Sequence, residues 1–289
     1  MKTRLKPLQL VVGLSLIWIL AAQELVAAES NTLRVQGSTT LLAPIETLSE
    51  RYMKGHPGLS IVNHASSSGE GIRDLINGKA DIARSSRPIL IPDQVAAMRH
   101  GVKLLSTPIG RDGVIVIVHP KKYREIQRIS TAQLRKIFFN GSITSWAQLK
   151  PGLTGQINIY ARDSSESGTG YLFTQLIAGD SSVPFVRTAI YLPRTPELRD
   201  AIARDINGIT FLPADMVDTA VAPLMVGDDK HAYIDYALDN SKITRYPLLR
   251  TLYLITRDPL SSDEKAFIDF TKTARALDIM RQFRIIPIR

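Results

Sequence analysis

Five consecutive branched aliphatic residues, Val114-Ile115-Val116-Ile117-Val118, stand between Gly113 and His119-Pro120. The run has no polar alternation, so a strand made from it presents apolar branches to both faces of its sheet. A sheet covered on both faces needs helices on both faces, and the chain is thereby directed to an α/β fold around a central parallel or mixed sheet. Neighbouring segments agree. Strand-like stretches at 33–36, 60–64, 80–83, 207–212 and 252–256 alternate with helical faces. Leu41, Leu42, Ile45, Leu48, Tyr52 and Met53 share one side of a helix, and Pro44 is tolerable only in its first turn, which puts the start at Ser38-Thr39-Thr40. Ser130 and Gln133 spell a capping box, with Ile129 and Leu134 as its staple. Thr195-Pro196 reads as a cap and a first helical residue, and Ser261 to Glu264 opens the last helix.

Small polar residues recur at four strand-to-helix corners: 37–40, 66–71, 84–87 and 162–169. A helix start leaves backbone N–H groups without internal partners and carries about half a positive charge, so small residues there let an oxyanion approach bare amides. One such corner is an ordinary capped helix. Four corners of similar chemistry in one alternating chain point to one shared ligand, because α/β folds gather ligands at the carboxyl ends of their strands. The fourth corner, Arg162-Asp163-Ser164-Ser165-Glu166-Ser167-Gly168-Thr169, adds an arginine whose guanidinium is a fixed fork of donors.

The first 28 residues differ from the rest. Lys2, Arg4 and Lys6 precede an apolar run from Leu8 to Leu20, and Val26-Ala27-Ala28 offers the small residues of a processing site, so residues 1–28 read as a cleaved secretory leader. The uncharged stretch from Pro7 to Gln23 is at the short limit for spanning a bilayer. With no cysteine among 289 residues, the exported chain relies on its core alone and has no N-terminal cysteine to carry lipid, which fits a soluble protein of a Gram-negative periplasm. Loss of the leader removes three basic residues and Glu24, lowering the formal net charge from +9 to +7. A basic field attracts small anions, nucleic acid and anionic membrane alike, and export argues against nucleic acid.

The corners and their order resemble the phosphate-binding protein family, the periplasmic receptors of phosphate ABC transporters among type II periplasmic binding proteins. The likeness spans nearly the whole exported chain. It rests on Gly37-Ser38-Thr39-Thr40, Ser67-Ser68-Gly69, Asp81-Ile82-Ala83 with Ser85-Ser86-Arg87-Pro88, and Asp112-Gly113-Val114. It also rests on Leu134-Arg135-Lys136-Ile137-Phe138 with Gly141-Ser142-Ile143-Thr144-Ser145-Trp146, and on Arg162 with Ser167-Gly168-Thr169. The resemblance implies two α/β lobes with an anion between them, residues 29–112 plus 221–289 forming lobe 1 and 113–220 lobe 2. It implies inorganic phosphate or a similar oxyanion as ligand, an inner-membrane ABC permease as partner, a monomer, and neither cofactor nor metal. Ser38, Thr39 and Thr40 match the first donor loop, Ser67 or Ser68 the serine of the second, and Arg162 the arginine that meets the anion. Ser167, Gly168 and Thr169 match the helix start that cradles it.

Two positions depart from the family pattern. The family commonly has four residues from its arginine to its serine, and here Arg162 to Ser167 is five, so either Ser165 takes the place of Ser167 or the loop bulges. Ser86 stands where well-known phosphate receptors have an aspartate, whose acceptor-only carboxylate bars unprotonated sulfate; a serine donates or accepts, and beside it Arg87 is a candidate extra contact. Other classes have less behind them. A serine hydrolase lacks a Gly-x-Ser-x-Gly elbow, and His56, His64, His100, His119 and His231 sit in no motif that names a base. No His pair stands at metal-ligand spacing. An anion sensor or scavenger without a transporter shares every one of these features.

Overall fold

The branched run lies inside one 16-residue strand, Lys103–Val118, which extends it toward the N-terminus through Lys103 to Gly113. The computed structural model describes residues 31–228, 233–234 and 245–288, so the expected leader at 1–28 lies outside the described residues. The chain begins with β1 (Asn31–Ser38), α1 (Leu42–Met53), β2 (Leu59–Ser66), α2 (Ser68–Ile76), β3 (Ile82–Ser85), α3 (Ile91–Arg99) and β4 (Lys103–Val118). It continues with α4 (Pro120–Tyr123), β5 (Arg128–Ser130), α5 (Thr131–Phe138), β6 (Asn158–Ala161), α6 (Gly168–Ala178), β7 (Ile190–Tyr191), α7 (Thr195–Arg204), β8 (Gly208–Pro213), β9 (Ala222–Pro223) and β10 (Met225–Gly227). It closes with β11 (Leu249–Asp258), α8 (Ser262–Thr271), α9 (Ala274–Gln282) and β12 (Ile286–Pro287).

One mixed sheet runs β2-β1-β3-β11-β4-β8-β6-β7. Its outer parts are parallel, β1 with β2 and β3 on one side and β6 with β7 and β8 on the other. Its middle is antiparallel. The first part of β4 pairs with β11, Lys103 opposite Asp258 through Gly113 opposite Leu249, and the last part pairs with β8, Val114 opposite Pro213. A strand that changes partners midway belongs to both lobes, and three buried clusters are found among the described residues, two in the first lobe and one in the second. Leu33, Val35, Leu41, Ile45, Leu48, Ile61 and Ile82 pack on the α1 side of the first lobe, with Ile72, Leu75, Ala83 and Ile255 in a separate cluster that includes α2. The core of the second lobe holds all of Val114 to Val118, as the unbroken branched run requires, together with Leu134, Phe138, Trp146, Phe173 and Phe211. The resemblance places residues 221 onward in lobe 1. Val221, Leu224, Val226, Tyr246 and Leu248 pack instead into the second core, because β9 pairs with β4 and β10 with β5 before the chain turns back along β11.

Local signals mostly hold where expected. Ser130 and Gln133 form their capping box, as do Ser261 and Glu264. Thr195 is the first residue of α7 rather than its cap, which frees its hydroxyl for other use.

The crossing of β4 and β11 carries a buried ion pair between register partners. Arg250 Nε donates to Asp112 Oδ1 at 2.6 Å and Nη2 to Oδ2 at 2.8 Å, with both side chains 3% exposed or less. Asp215, just past β8, points its enclosed Oδ1 at no partner, and its carboxyl is pushed up to about 7 by burial and by the nearby charge of Asp112, against the pull of Arg250 and Arg284.

Two outcomes are expected. Phe211 stacks on Phe173 with centroids 4.0 Å apart and has no exposed surface, so Phe211→Ala should lower unfolding stability by about 3–5 kcal/mol in urea melts. A carboxyl that holds its proton when folded but gives it up near 3.8 when unfolded stabilises the fold fully below about pH 4, and that contribution is lost as pH rises toward 7. Asp215→Asn should therefore become progressively more stable than the parent between pH 5 and 7.5, with a limiting slope of about 1.4 kcal/mol per pH unit. A difference between the two that does not change with pH would contradict this.

Candidate anion-binding site

The parallel order β2-β1-β3 places three corners side by side along one sheet edge, and the fourth faces them from β6 across the gap between lobes. Gly37 makes the first turn, at a φ of 118° that L side chains rarely adopt; a Cβ there would stand 2.3 Å from the Arg84 carbonyl oxygen. The chain then enters a 3₁₀ turn at Thr39–Leu41. At the second corner Ser67 caps α2, its Oγ accepting from the Glu70 amide at 3.1 Å. Ser167 caps α6 in the same manner, accepting from Gly170 at 3.1 Å. A capping hydroxyl accepts through a lone pair and keeps its own proton to donate. The amides of Ser68, Gly168 and Thr169 stand in the first turns, ahead of any intrahelical bond.

The hydroxyls of the first lobe form a cluster. Ser38 Oγ donates to Ser86 Oγ at 3.1 Å, Ser86 Oγ lies 3.2 Å from Ser68 Oγ, and the Ser86 amide donates to Ser68 Oγ at 3.1 Å. The head of α6 closes on this cluster. A Cβ on Gly168 would fall 2.4 Å from both Ser68 Oγ and Ser86 Oγ, so glycine is what lets the second lobe approach.

Arg162 is 8% exposed, and Nη1 donates to Thr195 Oγ1 at 3.2 Å. Among the described residues no carboxylate lies within ion-pair distance of it. Burial pulls its pKa below the ordinary value, with Glu197 and Glu166 opposing from a distance. A cavity of about 560 Å³ opens beside it, lined by Thr39, Ser66, Ser67, Arg162, Tyr191 and Arg194, with Glu70, Asp163 and Glu166 also on its wall. Thr39 Oγ1 lies 3.3 Å from Thr195 Oγ1, so Thr195 links the first lobe to the arginine of the second. Sequence reasoning missed Thr195 because its position at a helix start already had an explanation.

The five-residue spacing resolves as a bulge. Ser165 turns away, its amide and Oγ both donating to Asp163 Oδ1 at 2.8 and 2.7 Å, and Ser167 keeps the cap. The loop instead offers Glu166 to the opposite lobe. Its carbonyl accepts from the Gly69 amide at 3.2 Å, and its carboxylate takes both Nη groups of Arg73 at 3.1 and 2.9 Å.

Two arginines differ from expectation. Arg87 is bound to Asp93 at 2.6 and 3.2 Å and to the Pro88 carbonyl at 2.9 Å, so both its Nη groups are engaged inside lobe 1, while its buried Nε has no partner among the described residues. Arg250, which the sequence reading passed over, reaches both lobes: Nη1 donates to Thr169 Oγ1 at 2.7 Å and Nη2 to Thr40 Oγ1 at 3.1 Å. An arginine among Leu248, Leu249, Leu252 and Leu254 was a legible signal, since a buried cation needs partners.

Known proteins share this fold. A PBP superfamily domain model matches residues 22–274. The phosphate-binding protein PstS of Staphylococcus saprophyticus is 25% identical over 240 residues, 82% of this chain and 73% of that protein. Protein SphX of Synechocystis sp. is 24% identical over 251 residues, 83% of this chain and 74% of that one. A Clostridium perfringens protein solved with bound phosphate superposes with a TM-score of 0.77 at 23% identity, covering 90% of this chain and all of that one. An ABC-type phosphate transport receptor from Vibrio cholerae gives 0.66 at 22% identity, covering 88% and 99%. With the two-lobed type II fold shared and the domain matched over most of its length, this chain belongs to the PBP superfamily.

Proposed function

We propose that this protein captures inorganic phosphate, or a closely related tetrahedral oxyanion, between its lobes and delivers it to an inner-membrane ABC permease. In this reading residues 1–28 export it to the periplasm, where it works as a soluble monomer without a lipid anchor. The observation that carries the proposal is Arg162: a buried guanidinium with a hydroxyl as its partner and a cavity beside it calls for a countercharge from outside the chain. The surrounding groups suit that countercharge. Helix-start amides at Ser68, Gly168 and Thr169, and the hydroxyls of Thr39, Thr40, Ser67, Ser86 and Ser167, are donors that a multiply charged oxyanion can saturate, with Ser38 supporting Ser86 from behind. Closure would bring the lobe built on residues 31–112 and 249–288 against that built on 113–228 and 245–248. The phosphate named in the curated relatives fits the same chemistry.

Calorimetry on protein stripped of bound anion should give one-to-one binding of phosphate, tested beside arsenate, sulfate, molybdate and tungstate. Heat from none of the five would overturn the proposal. Arg162→Ala should remain folded and bind about 30-fold to several-thousand-fold more weakly, since it removes one partner of a buried charge pair.

Selectivity turns on Ser86. It accepts the Ser38 proton and shares with Ser68 Oγ a contact in which either hydroxyl can donate, so with Ser68 as the donor its own proton can turn to a ligand with no proton to offer. Sulfate should therefore compete measurably with phosphate near pH 7 at fixed ionic strength, and Ser86→Asp should suppress that competition at some cost in phosphate affinity. A parent protein indifferent to a large excess of sulfate would show that another acceptor, with Asp163 the first to mutate, enforces the choice.

A further inference from the structure

Arg250 occupies the crossing of β4 and β11, where residues of both lobes come within reach of one side chain. Its guanidinium is held on Asp112 by Nε and Nη2, and it extends Nη2 to Thr40 Oγ1 at 3.1 Å and Nη1 to Thr169 Oγ1 at 2.7 Å. Thr40 stands in the 3₁₀ turn of the first lobe and Thr169 in the first turn of α6 in the second. A guanidinium has donors and no acceptor, and it keeps its charge at any pH a protein tolerates. In both contacts the threonine oxygen must therefore accept.

Each hydroxyl proton is then directed away from Arg250. Thr40 is 2% exposed and Thr169 5%, so water is not freely available to either, and among the described residues Arg250 is the hydrogen-bond partner that each Oγ1 has. A buried O–H without an acceptor is costly, and an arriving oxyanion relieves the cost twice, once per lobe.

We propose that Arg250 is a positioning residue that fixes the hydroxyls of Thr40 and Thr169 as donors, one from each lobe, to a single bound oxyanion. This rests on the oxyanion reading of the cleft. The two arginines then divide the work. Asp112 neutralises Arg250, so Arg250 supplies direction, whereas Arg162, with no carboxylate within ion-pair distance among the described residues, supplies charge. Lysine cannot replace Arg250, because one ammonium on a flexible stem cannot hold a carboxylate in a fork and two hydroxyls at once.

A mutant cycle with inorganic phosphate, read by calorimetry and checked by thermal melts, tests the assignment. Arg250→Lys should weaken binding about tenfold or more, and the pair Thr40→Val with Thr169→Val by a similar factor. The triple variant should bind within about threefold of the valine pair, because the lysine change acts through hydroxyls already removed. The pair Thr40→Ser with Thr169→Ser keeps both hydroxyls and should bind about tenfold or more tightly than the valine pair. Parent-like binding by Arg250→Lys, or losses that multiply in the triple variant, would overturn the assignment while leaving the oxyanion reading intact. If Arg250→Lys does not fold, the valine and serine pairs decide, and equal binding by both overturns it. Absence of heat from the parent protein overturns the oxyanion reading and this inference with it.

Discussion

The buried pair between Asp112 and Arg250 is the constraint on which the arrangement depends. It ties β4 to β11 at the place where the chain passes between lobes, and the same guanidinium touches Thr40 on one side and Thr169 on the other. A buried ion pair is seldom a gain in stability over an apolar pair of the same shape. Its value here is geometric. A bidentate fork has one orientation, and that orientation fixes the distance between the two corners that must meet across the cleft.

From this frame the electrostatics of the cleft follow. Two helix starts, at Ser68 and Gly168, and the 3₁₀ turn at Thr39 bring partial positive charge to one place, and Arg162 adds a full charge with no carboxylate within ion-pair distance among the described residues. Removing Arg162 from water costs free energy that the folded chain does not recover by itself, which biases the site toward a bound anion. The Arg73–Glu166 pair closes the same gap at its exposed edge. With about half of each side chain open to solvent, it contributes direction and salt sensitivity more than affinity.

Much of this was legible because it is local. The branched run at 114–118 demanded a strand covered on both faces, the capping boxes at 130 and 261 marked helix starts, and the polar corners marked the strand ends that line the cleft. What stayed hidden depends on long-range contact. Arg87 and Arg250 are both arginines in largely buried surroundings, and only the fold shows that one faces Asp93 within its lobe and the other faces threonines of both lobes. Thr195 looked like a helix cap until its hydroxyl was found on Arg162. The extra residue before Ser167 left two outcomes open, and the choice was made by contacts no local rule contains: Asp163 holding Ser165, and Arg73 holding Glu166 from the opposite lobe. The return to the first lobe came later than expected for the same reason, since β9 and β10 find their partners in the second core.

The central claim is that amides and hydroxyls of both lobes converge on one anion. It is tested most directly by backbone amide NMR during a phosphate titration of the stripped protein. The account predicts that the amides of Ser68, Gly168 and Thr169, which belong to opposite lobes, shift downfield together and saturate at one equivalent, while the amide of Arg87 moves little. Shifts confined to one lobe, or spread over surface lysines and arginines without saturation, would contradict it.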